Sequence, residues 1–511
     1  MRNPIIKSVL AVALAASLSS CGDKFLETDM SNGIDYEEAL TTTSKIGTAL
    51  NGAYFQLEYY YFAGDYATMI GDIASDIVYK SGSSNHMNSF NWFTYVPTDV
   101  YLLDIWQQGY AIVDNATRIT NAIQKLLPEA EDQYDQVYLT VYEAEARCLR
   151  AYANLAMVNI FCHQAMVDGT SYLDMPGLVI KTTPIEDTHE IPQVERVTIG
   201  ETYDYIIEDL EAAIDLFEIY GDQGELYYFT EAAAYGLLAR ANMYLENWEE
   251  AVEAADMALQ LSGISTLTYD ADDYFRLYSG HLSNNESLFA LAIDDVTNWS
   301  ANSCGTLFSN YGWSYSPYLW SLYNGEEDCR TSIMYWWYQG VEQFYEWEAP
   351  SLCYNRSNPN FGGGKFNYGG GNNALATNYL INAPEMYLIK AEGYLNQSNI
   401  TEAQESLLTV AMRDNAITST SDLPSSADEL KQFLKDERAR ELFQEGFRLW
   451  DLRRWNETAN LYAIGAPEIN WAINGAKCGD IIFPIPLDEV NAGFGVTQNE
   501  GWQNTRPSVG Q

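Results

Sequence analysis

The chain has 511 residues, 47% of them hydrophobic, ample for a large core in one extended fold or in several domains. Its 71 Asp and Glu outweigh 27 Lys and Arg, for a formal net charge of −44 and a pI near 4.2. Phosphate backbones are gripped by Lys and Arg that displace counterions, so no nucleic-acid partner is expected, and an electrostatic grip on an anionic membrane surface is disfavoured for the same reason.

Residues 1–20 read as a secretory signal. Arg2 and Lys7 precede an apolar run, Val9 to Leu18, shorter than the roughly 20 residues that span a bilayer. The run ends in Leu18-Ser19-Ser20-Cys21, the form of a bacterial lipobox, which makes Cys21 the lipid attachment point. Several acyl chains anchor a protein stably without a transmembrane helix, so the mature chain is expected to be tethered by residues 21–35 and not embedded. None of the other six cysteines forms a C-x-x-C pair. Cys148 and Cys162 lie in apolar helical contexts and read as buried thiols, while Cys304, Cys329, Cys353 and Cys478 stay open.

Helical periodicity runs over 36–56, 99–127 and 141–161. In the second of these, Trp106, Tyr110, Val113, Ala116 and Ile119 share a face. Aromatic residues mixed with Gly, Ser and Asn over 59–98 read as loops, and 175–199, with three Pro, as a long connection. Thr230–Asn247 and Trp248–Leu261 read as two antiparallel helices. Ala239, Ala251, Ala255 and Ala258, with Tyr235, Leu238 and Trp248, match most of the tetratricopeptide pattern, Asn242 replacing its usual Tyr. A second copy starts at Pro384, with Tyr387, Ala391, Tyr394, Ala403 and Leu407 at corresponding spacings, and segments 141–161 and 201–219 form a possible third pair. Such pairs bury their apolar faces by stacking.

Between the copies lies a loop-rich insertion, about 262–383. From Trp299 to Trp347 it holds 15 aromatic residues in 49, about twice the density of the whole chain, among Asn, Ser and Gly. The glycine-rich run Phe361–Asn373 follows. The only densely basic stretch is Lys435 to Trp455. Leu442, Phe443, Phe447, Trp450 and Leu452 make an apolar face, Gly446 predicts a bend between two short helices, and Arg438, Arg440, Glu441, Glu445, Arg448 and Asp451 can pair three or four residues apart.

Four motifs in order carry a family resemblance. Cys21-Gly-Asp-Lys-Phe-Leu-Glu27 opens the set. Pro384-Glu-Met-Tyr-Leu-Ile-Lys-Ala-Glu392 follows, with Leu380-Ile381-Asn382 where an upstream Arg is usual. Arg438 to Trp455 fits R-x-x-E-L-x-x-E-G-x-R-x-x-D-L-x-R-W. Phe483-Pro-Ile-Pro-Leu-Asp-Glu489 with Gln498-Asn-Glu-Gly-Trp502 closes it, Glu500 standing where Pro is common. The chain resembles the SusD/RagB family of bacterial surface lipoproteins. The resemblance implies an all-α fold of tetratricopeptide-like helix pairs with a loop-rich, aromatic-rich ligand-binding insertion. It places one SusD-like domain over 36–511, its repeat scaffold at about 99–261 and 384–460. It further implies anchorage in the outer membrane of a Gram-negative bacterium, facing outward. There such proteins cap a SusC-like TonB-dependent transporter and deliver glycans, or in some branches peptides.

Glycan capture needs flat rings for sugar faces and directional polar groups for hydroxyls. Trp299, Trp313 and Tyr315 lie among Asn298, Asn302, Asn310 and Ser314, and Trp92 beside Asn91. These, with one outward ring of Trp336-Trp337 (Trp337 is chosen), are the candidate ligand residues; single rings that merely pack loops are the alternative. Trp320, at helical spacing from Tyr323, reads as core. Asp72 and Asp76, four apart on an expected helix, read first as a solvated face, although the family resemblance implies that an Asp here can lie near ligand, and Asp76 is kept among the candidate ligand residues. Arg438, Glu441, Glu445, Arg448 and Asp451 are expected to be a structural signature.

No catalytic motif appears. The four His are scattered, and carboxylate pairs such as Asp294-Asp295 arise by chance in so acidic a chain, so no enzyme is expected. No cofactor is expected either. Asp270-Ala-Asp-Asp273 lacks the glycine and terminal Glu of an EF-hand, leaving only other calcium geometries open.

Overall fold

The computed structural model describes residues 39–80, 84–184, 192–278, 285–334, 337–338, 341–342, 364–366, 372–457 and 477–505. Cys21, Cys353, Trp336, Trp347, His189, His281 and most of 361–373 fall outside them, as does the Trp337 side chain. The chain divides into units Met1–Thr41 and Thr42–Gln511, and all the elements named below belong to the second.

Helix α1 is Thr43–Glu58 and α2 Tyr66–Ile73. A single turn, α3 (Asn88–Asn91), precedes two long helices, α4 (Val100–Leu126) and α5 (Gln133–Phe161). Helices α6 (Ile199–Tyr220), α7 (Glu231–Tyr244) and α8 (Trp248–Ser262) continue the stack. The inserted segment carries α9 (Ala271–Tyr278), α10 (Cys304–Asn310) and α11 (Pro317–Leu322). Helices α12 (Ala383–Asn396), α13 (Ile400–Ala411), α14 (Ala427–Glu441), α15 (Arg448–Arg454) and α16 (Leu487–Asn491) complete the chain.

Local chemistry sets many of these boundaries. Thr42, Asp99, Asp132, Thr230 and Ser426 each accept a backbone N–H from the first turn of the helix they precede. Thr198 and Glu201 make a reciprocal capping box on α6. Each such cap contributes about 1 kcal/mol. The Asp132 cap also explains one shift from the periodicity, α5 starting at Gln133, a full two turns before Val141; the expected start of the first helix at Tyr36 lies outside the described residues.

Successive helices pack as neighbours, α4 on α5, α5 on α6, α7 on α8 and α12 on α13, and α8 joins the early stack to α12. Ala239, Ala251, Ala255 and Ala258 are all fully buried, their single methyls letting these helices approach closely. The fold is thus mainly helical, and its strands are short pairs. Val78–Lys80 runs antiparallel to Trp313–Tyr315, and Ser287–Ala290 pairs irregularly with Tyr379–Asn382. The first pair fastens the inserted segment to the loop after α2. Cys148, Cys162, Cys304, Cys329 and Cys478 are buried free thiols. Among the described residues no helix is long and apolar enough to cross a membrane.

Candidate functional site

The basic stretch folds as two helices meeting at Gly446, whose φ is +81°. Few of its ion pairs are local; most cross the molecule. Arg438 holds Asp451 with two bonds of 2.8 and 3.0 Å, and Arg454 joins Asp451 to Glu392 of α12. Glu441 is shared by Arg330 and Arg413, at 3.0 and 3.2 Å. Glu445 takes Lys365. Arg448 reaches Asp76 at 2.7 and 2.9 Å. The expected spacing of three or four residues survives only at Arg440–Glu437 and Arg454–Asp451. Helix α14 presents Glu437, Arg438 and Glu441 to the core, so their partners are whatever acids and bases other segments bring there.

This arrangement corrects the reading of Asp72 and Asp76 as a solvated helix face. Helix α2 ends at Ile73, placing Asp76 in the following bend as the partner of Arg448. Asp72 is fully buried and accepts the Gln444 and Arg448 amides at 2.7 and 3.3 Å. The distant motifs also meet one another. Trp455 and Arg454 both bond Glu392 of the Pro384–Glu392 motif. The Gln498 amide pairs with both backbone groups of Ile485, and Asn499 donates to the Phe161 and Phe483 carbonyls. Arg453 caps the end of α5 through the Asn159 and Cys162 carbonyls.

The candidate ligand residues part company. Trp313 is wholly buried with Lys80 stacked 5.2 Å from its ring, and Tyr315 is buried against Trp320. Both lie beneath the surface because strand pairing with Val78–Lys80 draws them inward, which corrects their reading as exposed platforms. Trp320, read as core, is half-buried. Trp92 is 41% exposed, while its neighbour Asn91 bonds the Ile73 carbonyl at 3.0 Å. His86 lies stacked on Tyr311, 4.1 Å between centroids.

Trp299 is half-buried in a different setting. Its indole Nε1 donates to the Glu58 carbonyl at 2.8 Å, and its ring meets Tyr59 at 4.6 Å, Phe55 at 5.4 Å and Tyr60 at 5.8 Å. Tyr59, Tyr60 and Tyr61 lie 4.4–4.9 Å from one another, half-buried, and Phe55 is 47% exposed. These rings form a continuous aromatic surface at the end of α1. It is backed by Tyr66 and Tyr101, 4.7 Å apart, and through Phe90 and Phe483 the contacts reach Trp450 in the basic stretch. The sequence reading found Trp299 but left the Tyr59–Tyr61 run inside a general loop. Three adjacent tyrosines directly after a helix end were the available signal, because they cannot all turn inward from an irregular turn.

The loop carrying Trp299 is held by Asp294, which accepts the Val296 and Thr297 amides; these bonds hold its carboxyl below the usual range. Asp270 likewise caps α9 through the Asp272 and Asp273 amides.

Several buried acids predict an acid-shifted stability. Burial, first, pushes the carboxyls of Glu58, Asp72 and Glu145 up to about 7. The folded state therefore holds extra protons above pH ~4, and stability falls as pH rises from there through 7. For Glu392 and Glu437 burial acts upward too, but Arg454, Arg330 and Arg440 hold them down to about 2. Their stabilisation is present above pH ~4.5 and is lost as pH falls toward 2. Calorimetry across pH should show the highest Tm near pH ~5, falling toward both 8 and 3. A Tm that climbs from 5 to 8 would refute this.

A stack of paired helices with an inserted, loop-borne aromatic face defines the architectural class. The description "Starch-binding associating with outer membrane" belongs to a SusD-like family model that matches residues 24–245, and a second model, the SusD family, matches 318–502. The chain belongs to the SusD/RagB family. It is similar in fold to a SusD superfamily protein of Bacteroides thetaiotaomicron, at TM-score 0.74 and 21% identity, covering 90% of this chain and 99% of that one. A SusD superfamily protein of Bacteroides vulgatus follows at 0.70 and 22%, covering 90% and 99%. A SusD-like carbohydrate binding protein of Bacteroides vulgatus matches at 0.65 and 20%, covering 82% and 84%. No curated protein matches the chain.

Proposed function

We propose that this chain is a non-enzymatic surface lipoprotein, anchored through Cys21 in the outer membrane, that binds glycans and passes them to a SusC-like TonB-dependent transporter. The observation that carries the reading is the aromatic surface of Tyr59, Tyr60, Tyr61 and Trp299 on a SusD-family fold. Clustered rings with polar edges suit the alternating apolar and hydroxylated faces of a sugar chain. Family membership supports the location and the binding role. Asp294, whose carboxylate secures its own loop, is poorly placed for glycosidic chemistry.

The test is calorimetric titration of the full-length protein in detergent with a panel of polysaccharides and peptides. Trp299→Ala and Tyr60→Ala should each weaken glycan binding by about 1 kcal/mol or more, as expected for ring anchors, without lowering Tm much. Trp313→Ala should instead cost about 3–5 kcal/mol of stability, the usual cost of emptying a buried aromatic site. No effect of Trp299 or Tyr60 on binding would put the site elsewhere, with Trp92 the next ring to test. Peptide binding without glycan binding would overturn the ligand class, and new reducing ends in a bound glycan would reveal a hydrolase.

A further inference from the structure

The charge around the aromatic surface bears on which glycans it takes, an inference that rests on the glycan reading above. Glu58 sits directly under it, 7% exposed, with its Oε1 unpartnered and its backbone carbonyl bonded to Trp299. The groups that face its carboxyl are the Thr297 hydroxyl and Asp294. Asp294 and Asp295 stand exposed on the loop that presents Trp299. On the other flank, Asp104 of α4 faces Asp99, and Asp99 is met by Ser89 and the Tyr101 amide. Buried Asp65 faces Cys304, and together with Asp104 it lies close enough to act on Tyr66 behind the surface.

No Arg or Lys is among these partners. Arg330, Arg413, Arg438, Arg448 and Arg454 are each buried in a carboxylate pair of their own. Lys45, at the far end of α1, is 13 residues from Glu58, about 20 Å along a helix axis. Lys80 is turned onto Trp313 and bonded to Ser84 and Asn88. The charged side chains that meet the surface in these contacts are all acidic, and the surrounding chain adds its own negative field.

We infer that the Tyr59–Tyr61/Trp299 surface takes uncharged glycans and rejects those bearing uronate or sulfate groups. Carboxylate and sulfate groups are held most strongly by charge-assisted hydrogen bonds from Arg or Lys. Here each such group would meet the exposed carboxylates of Asp294 and Asp295, of like sign, and that repulsion is screened by salt.

The test is a glycan array spanning neutral, uronate-bearing and sulfated oligosaccharides, probed with the full-length protein in detergent, followed by titration of the hits. Every hit should be free of acidic groups, its affinity should vary less than twofold between 20 and about 500 mM salt, and binding should fall at least fivefold in Tyr60→Ala. Acidic relatives of the best hit should bind at least tenfold more weakly, and Asp295→Lys, an exposed change, should narrow that gap at least threefold with Tm unchanged. Asp104→Asn is the second variant and should narrow it in the same direction. An acidic glycan among the hits, or a gap that neither substitution moves, overturns the inference and leaves the glycan-binding reading standing. Absence of any hit overturns that reading and this inference with it.

Discussion

Asp451→Ala is expected to lower the unfolding free energy by about 3–5 kcal/mol, the usual cost of stripping one partner from a buried ion pair. Asp451 is 2% exposed and is bonded by Arg438 through Nε and Nη2 and by Arg454 through Nε. Arg438 is itself buried, and its Nη1 already lacks a partner. Removing the carboxylate would leave its guanidinium with none of these bonds in a medium that solvates it poorly. Arg454 would keep Glu392 at 2.6 Å, so the damage should centre on the contact between α14 and α15. Denaturant unfolding measures the loss. A double change, Arg438→Met with Asp451→Leu, should recover much of it, because an apolar pair leaves no buried charge. Were this stretch an anion-binding site instead, Arg448→Ala would abolish ligand binding with unchanged melting.

Gly446→Ala is the second large effect, and its cause is backbone. At φ +81° an L-residue is strained by about 1–2 kcal/mol. A Cβ there would fall 1.8 Å from the Thr68 carbonyl oxygen, while a Cβ at Gly71 would fall 2.0 Å from the Gly446 oxygen. The two glycines let α2 and the bend touch main chain to main chain. Neither side has a flexible group that can yield, so overpacking adds about 1–3 kcal/mol more. The same contact positions Asp72 on the Gln444 and Arg448 amides, so the loss should spread to that cap. Gly52→Ala is the control: it lies exposed within α1 with open space around its Cβ position. It should leave stability unchanged or raise it by up to about 1 kcal/mol, through helix propensity. Equal losses at both glycines would refute the close-approach argument.

Much of the helical scaffold was legible because helix formation is decided locally. The apolar face of Trp106, Val113, Ala116 and Ile119, the alanines of α7 and α8, and the break at Gly446 all express a 3.6-residue period or a backbone demand. The Asp132 cap that starts α5 was also present in the sequence, but it stands two turns before the residues whose apolar period announces the helix. The order of the four motifs was enough to indicate the family.

What the sequence could not show is which segments meet. Glu441 is within helical reach of Arg438, yet its charge is answered by Arg330 and Arg413, from more than 100 and from 28 positions away. Ion-pair choice at a buried helix face follows tertiary contact, since desolvation makes any unpaired charge there too costly to leave. Ring exposure follows the same logic. Trp313 and Trp299 look alike in sequence, each among Asn, Ser and Gly. Trp313 lies in a strand paired to Val78–Lys80 and is buried, whereas Trp299 rides a loop over the end of α1 and stays half-open. Local periodicity therefore determined the helices, Gly446 the bend and the ordered motifs the family, while the partners of the buried charges and the aromatic surface were decided only when distant segments packed together.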